Sequence, residues 1–460
     1  MSERHLSEKS TVLLVVCLSA FSMPVMLSAT NVAIPIVANQ FSLSATQIAW
    51  IPMSYLMASV MFVLIFGSLA DVFGKKKIFL IGIFVLCFSS IFVAFANSGT
   101  VLMLGRFLQG VGAAMLYATQ TALVSSVYPA KERGKAIGIT LSAVYLGLAV
   151  GPSLGGIILE YLSWRLNFVL HLPLSLIILA LLHKVPNGSE SRLLEEFKFD
   201  KIGASLYMAS IVLLCFGVSS LPNSNSLVLL SLFLITVALF VSHSLKHSFP
   251  IWNIRIFRNN KMLTKSCLAS YMMYSATYSN VVILSLYLQD LKQLSASQAG
   301  LIMSLQPATM AILSSVSGKL SDVIEPRLLA TLGMLIASCS LFALSILASS
   351  DVSMYFIAVL VLVGIGFSLF SSPNTNAIMS SVAKENYGLA ASTAASTRNL
   401  GQLSSIFLVS FSMSFIVGDQ LITREIFPSL LDAIELSFFI AGSLCMVGAI
   451  LSATRGKMHG

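Results

Sequence analysis

Unbroken apolar runs, rather than alternation, dominate this chain. After a polar opening from Met1 to Ser10, an uncharged run starts at Thr11 and continues to about Val37. Further runs cover 46–70, 78–96, 100–127, 136–160, 166–183, 202–221, 226–245, 263–289, 297–320, 328–348, 352–372, 388–416 and 433–453. A bilayer core about 30 Å thick takes roughly 20 apolar residues of helix, so each run can cross it. The first is too long for the apolar stretch of a cleaved leader, and no small-residue cleavage site follows it. The pattern predicts an all-α polytopic membrane protein with fourteen spans. Run 297–320 carries Gln306 and Pro307, and run 388–416 is rich in Ser, Thr and Ala. A proline within a span is tolerated because neighbouring helices satisfy the freed carbonyl.

The basic residues give this pattern a direction. With the first residue inside, 22 of the 27 Lys and Arg fall on inner segments, three (Arg165, Lys292, Arg424) fall outside, and Arg106 and Arg398 lie within spans. That asymmetry predicts two cytoplasmic termini and an even number of spans. The longest inner segments, 184–201 and 246–262, bracket two nearly uncharged spans. They divide the chain into an N-terminal six-helix bundle (1–183), a linker with two extra helices (184–262) and a C-terminal six-helix bundle (263–460). Gly67-Ser-Leu-Ala-Asp71 recurs weakly as Gly318-Lys-Leu-Ser-Asp322, each at the inner end of the second helix of its half. Repeated bundles with a site between them at the midplane are a transporter architecture.

Composition closes other routes. Of 460 residues 57% are hydrophobic and 10% charged, against about 25% charged in soluble domains, and the mean hydropathy is +0.90. A cytosolic enzyme, a disordered chain and a secreted disulfide scaffold are excluded. The net charge of +9 lies in short loops and reads as topology, not as nucleic-acid binding. The six cysteines, Cys17, Cys87, Cys215, Cys267, Cys339 and Cys445, all sit in apolar runs without a CxxC pair, and read as packing residues. The six histidines are scattered, and there is neither a phosphate-binding P-loop nor an HExxH pair, so no enzyme, cofactor or metal is expected.

Polar residues inside spans are the candidates for function. Arg106 lies just inside the outer end of the fourth span, where a cation should face the bundle interior and have a partner. At helical spacing Gln109, Tyr117 and Gln120 fall within about 60° of it. The alternative is an arginine whose head reaches the outer headgroups. Arg398 lies about ten residues into the thirteenth span, with Gln402 and Ser405 on its face; it lines a central cavity or binds the inner loop. The ninth span carries Tyr271, Tyr274 and Tyr278, which suit flat or cationic organic molecules or else pack between helices. Met23, Met26 and Asn31 in the first span would add an adaptable wall.

Three motifs stand in order. They are Gly67-Ser-Leu-Ala-Asp71-Val-Phe-Gly74-Lys75-Lys76-Lys77, Arg106-Phe-Leu-Gln109-Gly110-Val-Gly112, and Gly147-x-x-x-Gly151-Pro152-x-x-Gly155-Gly156. Weaker echoes are Trp164-Arg165 with Pro173, Phe199-Asp200-x-x-Gly203 and Tyr287-Leu-Gln289. With these the chain resembles the major facilitator superfamily, and within it the fourteen-helix drug:proton antiporter branch, over nearly its whole length. The resemblance implies two six-helix bundles that rock around a midplane cavity. It makes Gly67, Asp71, Gly74, Lys75 and Lys76 a conformational latch, or else the lysines serve only as an orientation signal. It makes Gly147, Gly151, Pro152, Gly155 and Gly156 the antiporter-motif hinge; the small residues four apart also suit close helix packing by themselves.

One departure matters. Many members of that branch carry an acid in the first helix, in a pattern like L-D-x-T-x-V-N-V-A-L-P, and here the acid's place holds Met26. A proton-coupled carrier needs a group that changes protonation during its cycle. The substitutes are Glu160, Asp290, Asp432, Glu435, Asp71, Asp322 and His171. Glu160 could pair with Arg106 at similar depth and release it on protonation. Arg106, Glu160 and Asp290 are therefore the coupling candidates. Without a midplane carboxylate, neutral, zwitterionic or anionic substrates suit the chain at least as well as cations. The expected function is export of small amphipathic compounds by a monomer in a bacterial inner membrane, in exchange for protons. The alternatives are an exporter of one endogenous metabolite such as a siderophore, or an uncoupled facilitator.

Overall fold

A computed structural model describes residues 2–128, 130–185, 199–221, 223–321, 323–347, 354–382, 387–418, 420–421 and 423–456. Among them the regular structure is helical, and the extended contact is a single antiparallel bridge, Ser44 to Leu421. The N-terminal half holds α1 (Ser2–Val32), α2 (Ile34–Gln40), α3 (Ala45–Phe73), α4 (Lys75–Ala94), α5 (Gly99–Val127), α6 (Ala130–Tyr161), α7 (Trp164–Val169) and α8 (Leu172–Leu182). The middle holds α9 (Lys201–Ser219), α10 (Ser224–Lys246) and α11 (Arg255–Asn259). The C-terminal half holds α12 (Lys261–Thr277), α13 (Asn280–Leu286), α14 (Ala296–Leu320), α15 (Pro326–Leu347), α16 (Met354–Ser380), α17 (Tyr387–Ser412) and α18 (Phe427–Ala453).

Thirteen helical stretches among the described residues are long and apolar enough to cross a membrane. The predicted ninth span is not one of them, because its helix breaks between α12 and α13. The amide of Ser279 donates to Ser405 Oγ at 2.9 Å, so a side chain from α17 replaces a rung of the helical ladder. Beyond α13 the chain continues as a π-turn over Tyr287–Leu291. The sixth span bends at Leu170–His171, just ahead of Pro173, which lacks the amide proton a continuous helix needs. At the other extreme, α1 reaches back through the polar opening to Ser2. Lys9 holds that segment, pairing with Glu132 at 3.1 Å and accepting the Tyr128 hydroxyl on its carbonyl.

The bundle has two distinct faces. One is basic: Lys9 meets α6 there, Lys76 donates to Val185 O at 2.6 Å, and Lys265 donates to Thr454 O at 2.7 Å. At the opposite face helices start on serine caps, Ser44 and Ser295 in full capping boxes, Ser98 and Ser163 singly. Each cap satisfies an amide that the first helical turn leaves free.

The repeat seen weakly in the sequence recurs in the packing. A Cβ on Gly82 would press on Gly112 O, and one on Gly112 on Gly82 O, locking α4 to α5. Gly333 and Gly366 stand in the same reciprocal relation between α15 and α16. These are the third and fourth helices of each half, and only glycine lets their backbones approach so closely. Asp322 of the repeated loop lies outside the described residues. The two middle helices pack differently. Tyr207 of α9 donates to Val60 O of α3 at 3.2 Å, and its ring meets Phe240 at a tilt and Trp252 edge-on. α10 leaves Leu227, Val228, Leu234, Ile235 and Leu239 exposed on the outside of the bundle.

Candidate substrate cavity

A cavity of about 200 Å³ lies between the two halves. Tyr55 and Tyr117 from the N-terminal half, Tyr145 from α6, and Tyr274 and Tyr278 from the C-terminal half line it, with Phe367. Asn31, Gln120, Gln306, Asn399 and Gln402 supply five carboxamides, and Arg398 is the one charged side chain lining it among the described residues. The space runs from Asn31 and Val281 toward Val124 and Ile137, two residues near the basic ends of α5 and α6.

The wall is partly knitted and partly unsatisfied. Tyr145 and Ser371 hydroxyls lie 2.7 Å apart and join α6 to α16. Tyr55 and Tyr117 hydroxyls lie 3.4 Å apart, and Gln120 donates to Ser19 Oγ at 3.0 Å. The Phe367 ring meets the Tyr274 ring edge-on with centroids 5.3 Å apart. In contrast, Asn31 Oδ1, Tyr278 Oη and Asn399 Nδ2 are buried without a hydrogen-bond partner. Buried polar groups are nearly always paired, so these three atoms on the cavity wall are open to a hydrogen bond from a solute or water.

On the face opposite the basic one, the halves are in contact. Ala45 N donates to Gln420 O at 2.9 Å, and Gln289 Nε2 donates to Val32 O at 2.8 Å. Glu160 accepts from Ser295 Oγ at 3.1 Å and from the Ser297 amide at 3.3 Å. A Cβ on Gly156 would strike Ala296 O, and one on Gly300 would strike Pro152 O. The small residues therefore seal α6 against α14 at that end.

Arg106 is 0% exposed and does not reach the headgroup level. Its Nη1 donates to Gln109 Oε1 at 2.7 Å and its Nε to Ile51 O at 3.3 Å. Its guanidinium lies 4.6 Å from the centroid of the Tyr55 ring and 5.8 Å from that of Phe168. Among the described residues no carboxylate pairs with it; Glu160 is engaged with α14 instead. Arg398 is half-buried on the cavity wall, and among the described residues no ion pair forms with it there.

The other predicted residues separate into groups. Asn31, Tyr117, Gln120, Tyr274, Tyr278, Arg398 and Gln402 line the cavity. Met26 and Gln109 do not, being sealed in the N-terminal half, where Gln109 Nε2 approaches Met26 Sδ at 3.6 Å. Tyr271 turns aside to Ser404 Oγ at 2.8 Å. Asp290 is half-buried in the π-turn at the face opposite the basic one. Of the antiporter-motif residues, Gly147, Gly151 and Gly155 meet Phe21, Val25, Ser28 and Ala29 of α1, while Pro152 lies inside α6 beside Gly300. In the basic loop Gly74 closes α3 at φ 97° and so requires glycine, whereas a Cβ at Gly67 meets nothing. Asp71 is exposed on the last turn of α3, followed by Lys75 and Lys76 at the start of α4. Sequence reasoning passed over Tyr55, Tyr145, Gln306 and Asn399. Gln306 was the most visible, as an amide beside a proline in an apolar run.

One group could in principle hold a metal ion. Ligand atoms of Asp200, His243 and His247 lie within 4.8 Å of one another at the basic end of the middle helices. All three already have partners. Asp200 caps α9 by accepting the Gly203 amide at 2.8 Å, and it also binds His243 Nε2 at 2.7 Å and the Ile251 amide at 3.4 Å. His247 Nδ1 accepts from the Phe249 amide at 3.2 Å. Burial raises the Asp200 carboxyl, but the Gly203 amide, His243 and the Ile251 amide together hold it below its usual value. The Phe199-Asp200-x-x-Gly203 motif is thus a helix cap.

Known proteins place this geometry. The chain is 30% identical over 453 residues to the riboflavin transporter RibZ of Clostridioides difficile, covering 97% of each. It is 29% identical over 378 residues to the multidrug resistance protein Stp of Mycobacterium tuberculosis, covering 81% of this chain and 70% of that one. A bacterial homolog of the human lysosomal transporter Spinster, solved in an inward-facing and unoccupied conformation, superposes with a TM-score of 0.70 at 17% identity, covering 97% of each chain. The family model of the Major Facilitator Superfamily matches residues 16–406. With two halves enclosing a cavity and a family match of that extent, the chain belongs to the Major Facilitator Superfamily and is a transporter.

Proposed function

We propose that this transporter moves small, flat, amphipathic organic molecules out of the cell in exchange for protons. The observation that carries the reading is the lining of the cavity: aromatic rings, carboxamides and one arginine, without a carboxylate among the described residues. Tyrosine faces stack on planar solutes, amides bond to their polar edges, and Arg398 favours a neutral or anionic group over a cation. Contacts between the halves on one face, with the cavity extending toward the other, correspond to the inward-facing state of an alternating-access cycle. In this reading the protein has fourteen crossings, the broken α12–α13 segment supplying one. Both termini face the cytoplasm of a bacterial inner membrane, and the monomer suffices. The basic loop at Gly67–Lys76 acts as the latch between states.

A second reading is carriage of one heteroaromatic solute of the riboflavin kind. It is favoured by the near-full-length relation to RibZ and by the five carboxamides, which match a solute with many hydrogen-bonding edges better than a range of drugs.

Reconstitution into proteoliposomes separates these readings. A rhodamine dye and riboflavin are each offered with and without an imposed pH gradient. Dye movement against its own gradient only while protons flow is the expected result. Flux indifferent to the gradient identifies a facilitator. Riboflavin flux that the dye does not compete for establishes the single-solute reading, and absence of both fluxes overturns the proposed substrate class.

A further inference from the structure

Behind the cavity wall the N-terminal half contains a continuous buried hydrogen-bonded chain. Arg106 Nη1 donates to Gln109 Oε1, Gln109 Nε2 donates to Ser90 Oγ at 2.6 Å, and Ser90 Oγ lies 3.4 Å from His171 Nε2. Met26 Sδ sits against the same serine at 3.9 Å. Ser90, Arg106, Gln109, His171 and Met26 are all 0% exposed. They come from α1, α4, α5 and the bend between α7 and α8, and they meet around Met26. From these contacts we infer that His171 is the proton-binding group of the carrier, an inference that rests on the antiport reading.

The atoms allow two states of the same chain. Because Ser90 Oγ accepts from Gln109, its own hydrogen is free to point elsewhere. With His171 neutral, the hydroxyl donates to the Nε2 lone pair. When the carrier's cycle opens this buried chain to water and a proton arrives at Nε2, the new N–H donates to Ser90 Oγ, and the hydroxyl turns toward Met26 Sδ. Release to water reverses both steps. An oxygen with two lone pairs accepts from Gln109 and His171 together, so neither state breaks the chain. A carboxylate at Met26 would pair directly with the network. The sulfur serves only as the second acceptor, and the imidazole takes over the titration.

The charge so gained is felt at the cavity. A protonated imidazole stands two hydrogen bonds from the Gln109 amide that holds Arg106, and the two like charges repel in a medium without water. Arg106 rests on the ring of Tyr55, which lines the cavity. Other groups on the packed elements do not compensate. α1 presents Met26 at this level, with Cys17 further toward the basic face. α4 presents Ser90, with Cys87 one turn away, and α3 presents Tyr55. Of the carboxylates in this half, Glu8, Asp71, Glu132 and Glu160 lie toward the ends of their helices, and Glu160 is bound to α14.

The test uses full-length protein in proteoliposomes with a rhodamine dye and compares wild type with His171→Gln, which keeps a hydrogen-bonding end but cannot titrate. Gradient-driven dye accumulation is expected to fall at least about tenfold, while dye exchange without a gradient stays within about twofold. Retained gradient-driven accumulation in His171→Gln overturns the assignment and leaves the antiport reading standing. Wild-type flux that ignores the gradient overturns both. Should the variant fail to fold, or the dye not be carried, wild-type protein with ¹³C-labelled histidine is titrated in nanodiscs between about pH 4 and pH 9. A His171 resonance that moves, and moves differently in Ser90→Ala, supports the assignment; one that stays fixed overturns it.

Discussion

Arg106 and Arg398 are the two cations that the sequence puts inside crossings, and the fold gives them opposite surroundings. Arg106 is sealed in the N-terminal half, held by Gln109, a backbone carbonyl and two aromatic faces. Arg398 stands half-buried on the cavity wall in the C-terminal half. A solute can touch the second but only feel the first through Tyr55. The two halves share helix order and the reciprocal glycine pairs of α4–α5 and α15–α16, and each holds a buried hydrogen-bonded arginine (Arg106 on Gln109, Arg455 on Asn374), but only the C-terminal half presents a charge to the cavity.

The largest effect should come from Arg106→Met. Met removes a buried charge, whose burial is costly, but it leaves Gln109 Oε1 and Ile51 O without their donor, so the two effects on stability roughly offset. Transport should nevertheless fall by at least about a hundredfold, because the link between the buried chain and Tyr55 is cut. The apparent unfolding temperature in detergent should stay level. A lower unfolding temperature would instead mean that Arg106 is structural, and the contrast with Arg398 would collapse.

Arg398→Met should leave folding intact and alter selectivity. Loss of one charge-assisted hydrogen bond to an anionic solute is worth about 1.5–3 kcal/mol, so affinity for anionic aromatic dyes should drop about ten- to a hundredfold. Neutral dyes should bind within about threefold of wild type, and cationic dyes should bind more tightly. Arg398→Lys should recover part of the loss, since it keeps the charge but not the planar fork. Equal changes for anionic, neutral and cationic dyes would remove Arg398 from substrate recognition.

The basic loop offers a smaller contrast within one motif. Gly74→Ala forces a side chain into φ 97° and should destabilise by about 1–2 kcal/mol. Gly67→Ala sits in a helix with open space around it and should stabilise by about 0.5–1 kcal/mol. Thermal unfolding of the two variants checks the opposite signs. If Gly67→Ala lost transport while gaining stability, the close approach that excludes a side chain there would belong to the other state of the cycle.

What the sequence made legible follows from what a membrane imposes. Crossings must be apolar, so the long helical runs and their order could be read directly. That the predicted ninth span is broken could not be read, because the agent is Ser405, more than a hundred residues away. The cavity was partly legible for a related reason. Helical spacing tells which residues share a face, and Tyr274, Tyr278, Arg398 and Gln402 face the cavity. It does not tell whether that face meets the cavity or a neighbour, so Gln109 and Tyr271, correctly grouped by spacing, point into packed helices. Tyr55 and Tyr145 stand alone in apolar runs and carried no signal. Met26 is not on the cavity wall, but the polar chain that bypasses it is built around it.

The smallest expected effect tests whether the middle helices are a passive addition to the two halves. Asp200 caps α9 and ties it to His243 and to the Ile251 amide. Asp200→Ala should cost about 1 kcal/mol at neutral pH, the usual loss for an N-cap. Since the folded carboxyl lies below its usual value, its contribution is present above the unfolded value of about 3.9 and fades as pH falls through the lower folded one. The gap between the two proteins in unfolding temperature should therefore hold from neutral pH to about pH 5 and close below about pH 4. A gap that persists in acid would assign the stabilisation to packing around Gly203 rather than to the charge. Transport should be unchanged in either case, because the pair lies at the basic end of the middle helices, away from both arginines.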